Sequence, residues 1–479
     1  MKRLTLKIFT WLLVVGSLIA VGENSENQVF ASDYEYSEYQ LKALERVNTI
    51  RRSLGFEDVK LNPYLSKASE NHAYYRKVSG ANGNSPHEET EGYVGFTGVT
   101  LRDRAIFAGF QNDSLSLSEV MTYTSEPIAA VNGLVDVPLH RAPIIDPRTT
   151  EIGIGSYENV FVMVTGTKWE TIDEEFVYPI DGATNVNIHF CCEWPNPLEM
   201  YNTDHSGYAI TYVPKFQTSV TDVKVTNKQG EDMPIFYYLQ DEFHHFFPRF
   251  YLFYDSTYTV TVKTVHNITG EESEKTWSFT TRKDPSKREY TYADMNKNEY
   301  WANHMLWAIE EGLITGYLNQ ENPQTGRFEN WLKPYNPLTE AQFITILFRY
   351  LKPYELAGNE SIFNNNGYNK HWAFAVYDLA WKYNLPTNAK SMVFAEYNKY
   401  ADKGITRGKM AQILASAHFN RTLSEREAVD FMYEAHLSNG YPDASGNLPK
   451  TYESFSPNQI LKRAQVVTFL KRYDEYRNK

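Results

Sequence analysis

The sequence predicts a multidomain chain in three parts: a mixed α/β unit, an all-β sandwich and an all-α bundle. Three observations point there. The chain has 479 residues, about three domains at ordinary domain size. Val186, Ile188, Phe190, Cys192 and Trp194 alternate with more polar neighbours, the period of a strand with one buried face. Beyond Tyr290 the composition shifts to helix formers, and a weak internal repeat recurs at about 55 to 70 residues.

Hydrophobic residues make up 42% of the chain, enough for several cores. The 35 tyrosines suit sugar or protein binding, and also plain packing by amphipathic side chains. A net charge of −12 argues against nucleic acid as the main partner. At the N-terminus, Lys2, Arg3 and Lys7 precede an apolar run from Ile8 to Val21, and Val29-Phe30-Ala31 supplies small residues for cleavage. Residues 1–31 therefore read as a secretory signal peptide. The apolar run is shorter than the roughly 20 residues of a membrane helix, so the expectation is a secreted chain with no membrane span after cleavage. The only cysteines are the adjacent Cys191 and Cys192. A secreted chain without a disulfide framework points to bacterial export, and neighbouring residues lie closer than disulfide partners usually do, so a reduced pair is expected.

The first domain is read as residues 38–170. Leu41, Leu44, Val47 and Leu54 mark one face of a first helix that ends at Gly55. Asn62-Pro63 caps and starts a second, whose inner face carries Leu65, Ala68, His72, Tyr75 and Ser79. His72 on that face reads as a hydrogen-bonded core histidine. A Gly/Asn/Ser-rich loop then delivers His87, with Glu88 and Glu89 beside it. Leu101–Phe110 reads as a third helix, and Leu117–Met121 as an apolar alternation that Glu119 interrupts. Glu126–Leu134 reads as a fourth helix. The stretch from Pro138 to Val164 follows, with His140 and Arg141 in a proline-bounded loop before two short runs, Glu151–Gly155 and Phe161–Val164, read as adjacent buried strands. A rigid loop at the mouth of a sheet is where chemistry or recognition is usually placed.

In this order the features resemble the CAP superfamily of cysteine-rich secretory, antigen and pathogenesis-related proteins, in a disulfide-free bacterial form. The matching positions are His72, His87, Glu119, His140-Arg141 through Ile145, and Glu151-Ile152-Gly153-Ile154-Gly155. The resemblance implies an α-β-α sandwich with an antiparallel central sheet, and a cleft where His87, Glu119 and His140 converge. Two imidazoles and a carboxylate can hold zinc in an open site or perform acid–base chemistry. The chain departs from the pattern at Ser118 and Val120, which flank the cleft glutamate, and near Gly133-Leu134. A second cleft glutamate has no clear match, with Glu126 and Asp136 as nearby candidates. Such an eroded cleft favours a binding or structural module over an enzyme.

The middle domain is read as 171–283. Its opening, Pro179-Ile180-Asp181-Gly182-Ala183-Thr184-Asn185-Val186, and its Phe279-Thr280-Thr281 ending resemble bacterial Ig-like domains. Tyr258, Val260 and Val262 alternate as a second strand. Cys192 and Trp194 are expected to face inward and Cys191 outward. The adjacent His244 and His245 would face opposite ways on a strand and so share no ligand.

Residues 284–479 resemble three S-layer homology repeats, at about 290–351, 365–418 and 422–474. Helix, glycine turn and a Thr-Arg-Ala-Glu-like helix start recur together, at Leu338-Thr339-Glu340, Ile405-Thr406-Arg407 and Leu461-Lys462-Arg463. The resemblance implies a pseudo-threefold helical bundle. In it Arg407 and Arg463 would bind an anionic secondary cell-wall polysaccharide, often pyruvylated, with Trp301 and Trp372 lining the grooves. A guanidinium grips a carboxylate with two parallel hydrogen bonds. Glu340 has the wrong sign for that role, which marks the first groove as structural. Taken together, the expectation is a protein held at the cell-wall or S-layer surface of a Gram-positive bacterium, displaying a CAP domain of unknown ligand. The alternative is a zinc-dependent or acid–base hydrolase acting through His87, Glu119 and His140.

Overall fold

The computed structural model describes residues 34–80, 85–286, 289–365, 372–390 and 399–478. The expected signal peptide lies outside them. The chain forms two compact units, residues 1–135 with 140–171, and residues 136–139 with 172–479.

In the first unit, α1 (Glu38–Ser53) starts at a capping box between Ser37 and Gln40. Helix α2 (Pro63–Val78) starts where Asn62 accepts the N–H groups of Tyr64 and Leu65, with Pro63 in the first turn. The sheet runs β1-β3-β4-β2, from Lys60–Leu61, Thr149–Tyr157, Val160–Lys168 and Leu115–Tyr123. Its pairs are antiparallel except β1 with β3. Leu65 and Ala73 of α2 share clusters with Val160, Val162 and Val164 on one face of β4. Phe161 meets Tyr39 of α1 on the other. Helices thus cover both faces, giving an α-β-α arrangement, and residues Val160–Val164 are buried throughout, as a doubly covered strand requires.

Glycine sets the distance between α2 and the sheet. A Cβ built on Gly153 would lie 2.0 Å from the Leu65 carbonyl carbon, and one on Gly155 would lie 2.1 Å from the Glu70 nitrogen. The Ser69 hydroxyl reaches the Gly153 carbonyl at 3.2 Å through that gap. The His140-Arg141 segment is not the expected loop. It is helix α5 (Pro138–Ile145). Pro138 sits at its first position, where a missing N–H costs nothing, so this proline starts a helix where it was read as bounding a loop.

The second unit opens with two four-stranded sheets. One runs β10-β13-β14-β6 (Thr218–Asn227, Thr257–His266, Glu272–Thr281, Ala183–Val186), the other β11-β12-β9-β5 (Ile235–Gln240, Phe243–Pro248, Ile210–Val213, Phe176–Tyr178). Val225, Tyr258, Val260, Val262, Trp277 and Phe279 of the first share one core with Ile210, Tyr212 and Phe246 of the second. The alternation read from Val186 holds through Ile188 and Phe190, then fails. Cys192 takes a left-handed φ of 69° just after β7 (His189–Cys191). That turn leaves Cys192 exposed and Trp194 53% exposed, the reverse of the inward placement expected. The cysteines are also joined to each other rather than reduced.

The rest of this unit is mostly helical, with a hairpin of β15 (Tyr317–Glu321) and β16 (Phe328–Trp331), so it is not the all-α bundle expected. Its centre is a closed ring of three backbone hydrogen bonds, each 2.9 Å: Leu338 N–H to Leu461 C=O, Leu461 N–H to Ile405 C=O, and Ile405 N–H to Leu338 C=O. Each of these segments leads into a helix: α7 (Glu340–Leu351), Arg407–Phe419 and Arg463–Arg477. Their first N–H groups donate around the ring in the opposite sense, each to the segment that leads into the next helix start. Glu340 and Ala341 reach Lys403 and Ala401, Arg407 and Gly408 reach Gln459 and Pro457, and Arg463 and Ala464 reach Asn336 and Pro334, all at 2.8–3.1 Å. Orphan helix-start donors are satisfied in a threefold pattern. Tyr354 of α8 (Pro353–Asn365) belongs to the β-sandwich core, so the sandwich and the helical region, read as separate domains from composition, pack as one unit.

Candidate functional site

The first site is a buried charge cluster around Glu119, whose side chain on β2 is 3% exposed. Arg104 reaches it from α3 (Leu101–Phe107), which starts at a Thr100–Asp103 capping box. Its Nη2 donates to both Glu119 oxygens at 2.9 Å, and its Nη1 to the His87 carbonyl at 3.0 Å. The Nδ1 of His87 lies 3.1 Å from Glu119 Oε1. On α2, the fully buried His72 places Nδ1 2.9 Å from Glu89 and Nε2 3.0 Å from the Pro86 carbonyl. Both partners are acceptors, so making both bonds requires a hydrogen on each ring nitrogen. Glu89, 2% exposed, also accepts the Thr97 N–H at 2.6 Å.

Two carboxylates, Glu89 and Glu119, are thus balanced by Arg104 and His72 out of water. Burial pushes the Glu119 pKa up. The charges of His72 and Arg104 and the His87 hydrogen bond outweigh it and hold it at about 2. The carboxylate stays ionised, and its hydrogen bonds are already made. Its contact with His87 makes Nδ1 the donor, and the His87 side chain is 27% exposed at the rim.

His140 lies half-buried on α5 with interactions of its own. With His87 and Glu119 it does not bring three donor atoms within 4.8 Å. Among the described residues the one such group of His, Cys, Asp and Glu is Cys191, Cys192 and His205. Glu119 is moreover taken up by Arg104. The donor set does not fit the zinc site expected of His87, Glu119 and His140, and no chemical step is routed through a metal there. His72, read as a core histidine, is one, and it is also the second cation of the cluster. Sequence reading missed Arg104 and the second carboxylate. The second carboxylate of this cluster is Glu89, and not Glu126 or Asp136, the two candidates that sequence offers for a second cleft glutamate. The available signals were Arg104 next to the apolar run Ala105-Ile106-Phe107, and Glu89 two residues after His87.

The second site is the set of helix starts around the backbone ring. Arg407, 6% exposed, donates from Nε to the Phe455 carbonyl at 2.6 Å and from Nη2 to the Ser438 hydroxyl at 3.0 Å. Its guanidinium lies over Tyr441, Phe455 and Phe469 at 4.5–5.2 Å. Arg463, 7% exposed, donates to the carbonyls of Leu332 and Thr315 at 3.1 and 2.8 Å, beneath Tyr317 at 5.3 Å. Glu340, at the equivalent position, accepts the Tyr377 hydroxyl at 2.9 Å and the Asn388 N–H at 3.1 Å. Burial raises its pKa above the usual carboxylate range. Trp301 is 1% exposed in the core, its indole N–H donating to the Tyr335 hydroxyl at 3.2 Å, so it lines no open groove. Trp372 is 57% exposed. Near Arg463 a cavity of about 440 Å³ is lined by Asp294, Trp331, Lys333, Pro334, Tyr335 and Asn336. Lys333 stacks on Tyr317 at 4.3 Å and Lys462 on Tyr335 at 5.3 Å. None of Tyr317, Lys333 and Tyr335 was singled out from sequence.

Residues 44–163 match the family model described as CAP, the cysteine-rich secretory protein family. No curated protein matches the chain. Among solved structures, the chain is similar to an extracellular protein containing an SCP domain from Bacillus anthracis, at 18% identity and a TM-score of 0.24. That match covers 27% of this chain and 40% of the other, less than half of the Bacillus protein's length. An outer surface protein from Borrelia burgdorferi matches at 18% identity and a TM-score of 0.22, over 28% of this chain and 96% of the other. No helix among the described residues is long and apolar enough to cross a membrane.

Proposed function

Since residues 44–163 form a CAP domain, we propose that the chain is a secreted surface protein that displays this domain as a binding and structural module. In this reading its C-terminal part is a set of three S-layer homology repeats that hold it noncovalently to an anionic secondary cell-wall polysaccharide. The observation that carries the first half is the closed state of Glu119. A carboxylate that accepts both contacts from one buried arginine and a third from His87 works as a counter-ion. A hydrolase through His87, Glu119 and His140 would need that group available to substrate or metal, and the cluster weighs against it.

The anchoring half is supported by the threefold ring and by what surrounds it. A bound glycan carboxylate would meet the half-buried Lys333 on Tyr317, whose ring lies over Arg463, and the exposed Lys462 on Tyr335. The buried guanidiniums of Arg407 and Arg463 set the shape of these grooves. The test is sedimentation of the full chain with wall sacculi from a Gram-positive bacterium, before and after the secondary polysaccharide is stripped. Binding only to intact sacculi supports the reading, with Lys333→Glu and Lys462→Glu together weakening it by about tenfold or more. Equal binding to both preparations refutes the glycan assignment. For the first half, equal metal content in the purified chain and its His87→Ala/His140→Ala variant supports a module without a metal centre. A metal ion lost in that variant overturns it.

A further inference from the structure

We propose that Cys191, Cys192 and His205 form a redox-gated site for a soft or borderline divalent cation such as Zn²⁺. When the cysteines are joined as a disulfide the site is off, and two-electron reduction turns it on.

The site is built by a short hairpin. Strand β7 (His189–Cys191) pairs antiparallel with β8 (His205–Gly207), and the register sets Cys191 directly across from His205 and His189 across from Gly207. Directly opposed residues point to the same face, with Cβ atoms about 5 Å apart. Cys192 follows in a left-handed turn that brings its sulfur back to that of Cys191. One donor atom from each of Cys191, Cys192 and His205 lies within 4.8 Å of the others. Cys191 is half-buried, and Cys192 and His205 are exposed, so reductant and ion have access.

Two further observations point to a ligand. His205 Nδ1 is paired with the Asp204 carboxylate. That contact makes Nδ1 the donor, the carboxylate–histidine arrangement that orients an imidazole for a metal. His189 sits two residues before Cys191, on the same face of β7, and its buried Nδ1 has no hydrogen-bond partner. It lies outside the 4.8 Å group, so the hairpin presents a Cys₂His set that leaves a fourth position open to water or to His189 after a small shift, which suits tetrahedral Zn²⁺.

The redox step balances with a dithiol reductant. Its thiolate attacks one cysteine sulfur, the S–S bond breaks, and the other sulfur leaves as thiolate. The second thiol of the reductant then displaces the first cysteine and closes its own cyclic disulfide. Two electrons pass to the protein and the reductant is oxidised. Zn²⁺ binding afterwards replaces the two thiol protons with two metal–sulfur bonds.

The experiment uses the full chain and Cd²⁺, whose bonds to thiolate give an ultraviolet charge-transfer band. The chain has only two cysteines, so such a band reports this site and not the CAP domain. The chain is titrated with Cd²⁺ as isolated in its disulfide form, and again after a phosphine reductant that is itself converted to its oxide. The expected result is a band that saturates at one equivalent in the reduced chain and is absent from the oxidised one. His205→Ala should weaken Cd²⁺ binding at least tenfold, and Asp204→Asn by about 10- to 100-fold. Competition by Zn²⁺ should remove the band. Either of two results overturns the proposal: no saturable band in the reduced chain, or unchanged affinity in His205→Ala, which would reduce the site to bare dithiol chemistry.

Discussion

Arg104 and Glu119 form the pair on which the first site rests, one guanidinium nitrogen donating to both carboxylate oxygens at 2.9 Å, with neither side chain more than 3% exposed. The desolvation of both charges is offset only while both are present. Glu119→Gln would remove the carboxylate that takes both Nη2 contacts and leave the buried guanidinium only the Glu89 carboxylate at 3.9 Å. The N-terminal unit should lose about 3–5 kcal/mol, read as an earlier unfolding transition in denaturant. Arg104→Met together with Glu119→Leu should recover much of that loss, because the pair is then replaced and not broken.

The same pair sets an acid limit. The folded-state pKa of Glu119 is about 2, below its value in the unfolded chain. Its contribution is therefore fully present above the ordinary glutamate pKa of about 4.3. It is lost as pH falls from there through the folded value. On the order of 3 kcal/mol of stability should disappear between about pH 4.5 and pH 2. Urea unfolding of the N-terminal unit at stepped pH measures this, and Glu119→Gln should flatten the slope in that window.

Gly155 tests how closely α2 lies on β3. A methyl at this position would overlap the backbone of Ser69 and Glu70, which no rotamer change relieves. Gly155→Ala should cost more than about 3 kcal/mol, above the usual range for overpacking, because two backbones must separate. Gly133→Ala, at a position with nothing near its Cβ, should change stability by less than about 1 kcal/mol.

These glycines also show what sequence reading captured. Glu151–Gly155 marked a strand, Asn62-Pro63 marked the start of α2, and Tyr258, Val260 and Val262 marked one buried face, because cap chemistry and period 2 are local signals. Sequence places His140 in a loop because Pro138 reads as a boundary, though proline at a first helical position is equally a start. Cys192 broke its alternation at a left-handed turn that a period cannot register. Arg104 and Glu89 were missed for another reason. A charged residue reads as surface unless its partner is known, and Arg104 meets Glu119 only through tertiary structure.

Glu231 shows how the sandwich grips the helical region. From the loop after β10 its carboxylate accepts the N–H of Tyr354 at 3.2 Å and of Glu355 at 3.0 Å, capping the first turn of α8. These are orphan donors at the positive end of a helix. Glu231→Ala should cost about 2–3 kcal/mol. It should also raise protease sensitivity near α8 while leaving the N-terminal unit's transition unchanged.

Glu340 is the odd member of the three helix starts, and its surroundings explain why an arginine would not serve there. Arg407 and Arg463 donate to backbone carbonyls, so their positions present acceptors. Glu340 meets the opposite polarity, with the Tyr377 hydroxyl and the Asn388 N–H pointing at it. Glu340→Arg, which would make the three starts alike, turns two satisfied donors toward a cation at a site 1% exposed. The expected outcome is a loss of about 3 kcal/mol or more with no gain in sacculus binding. Glu340→Gln keeps an acceptor for Asn388 and should lose less, about 1 kcal/mol. Thermal unfolding of the two variants side by side decides it: equal losses would mean that the polarity of the pocket does not select the residue.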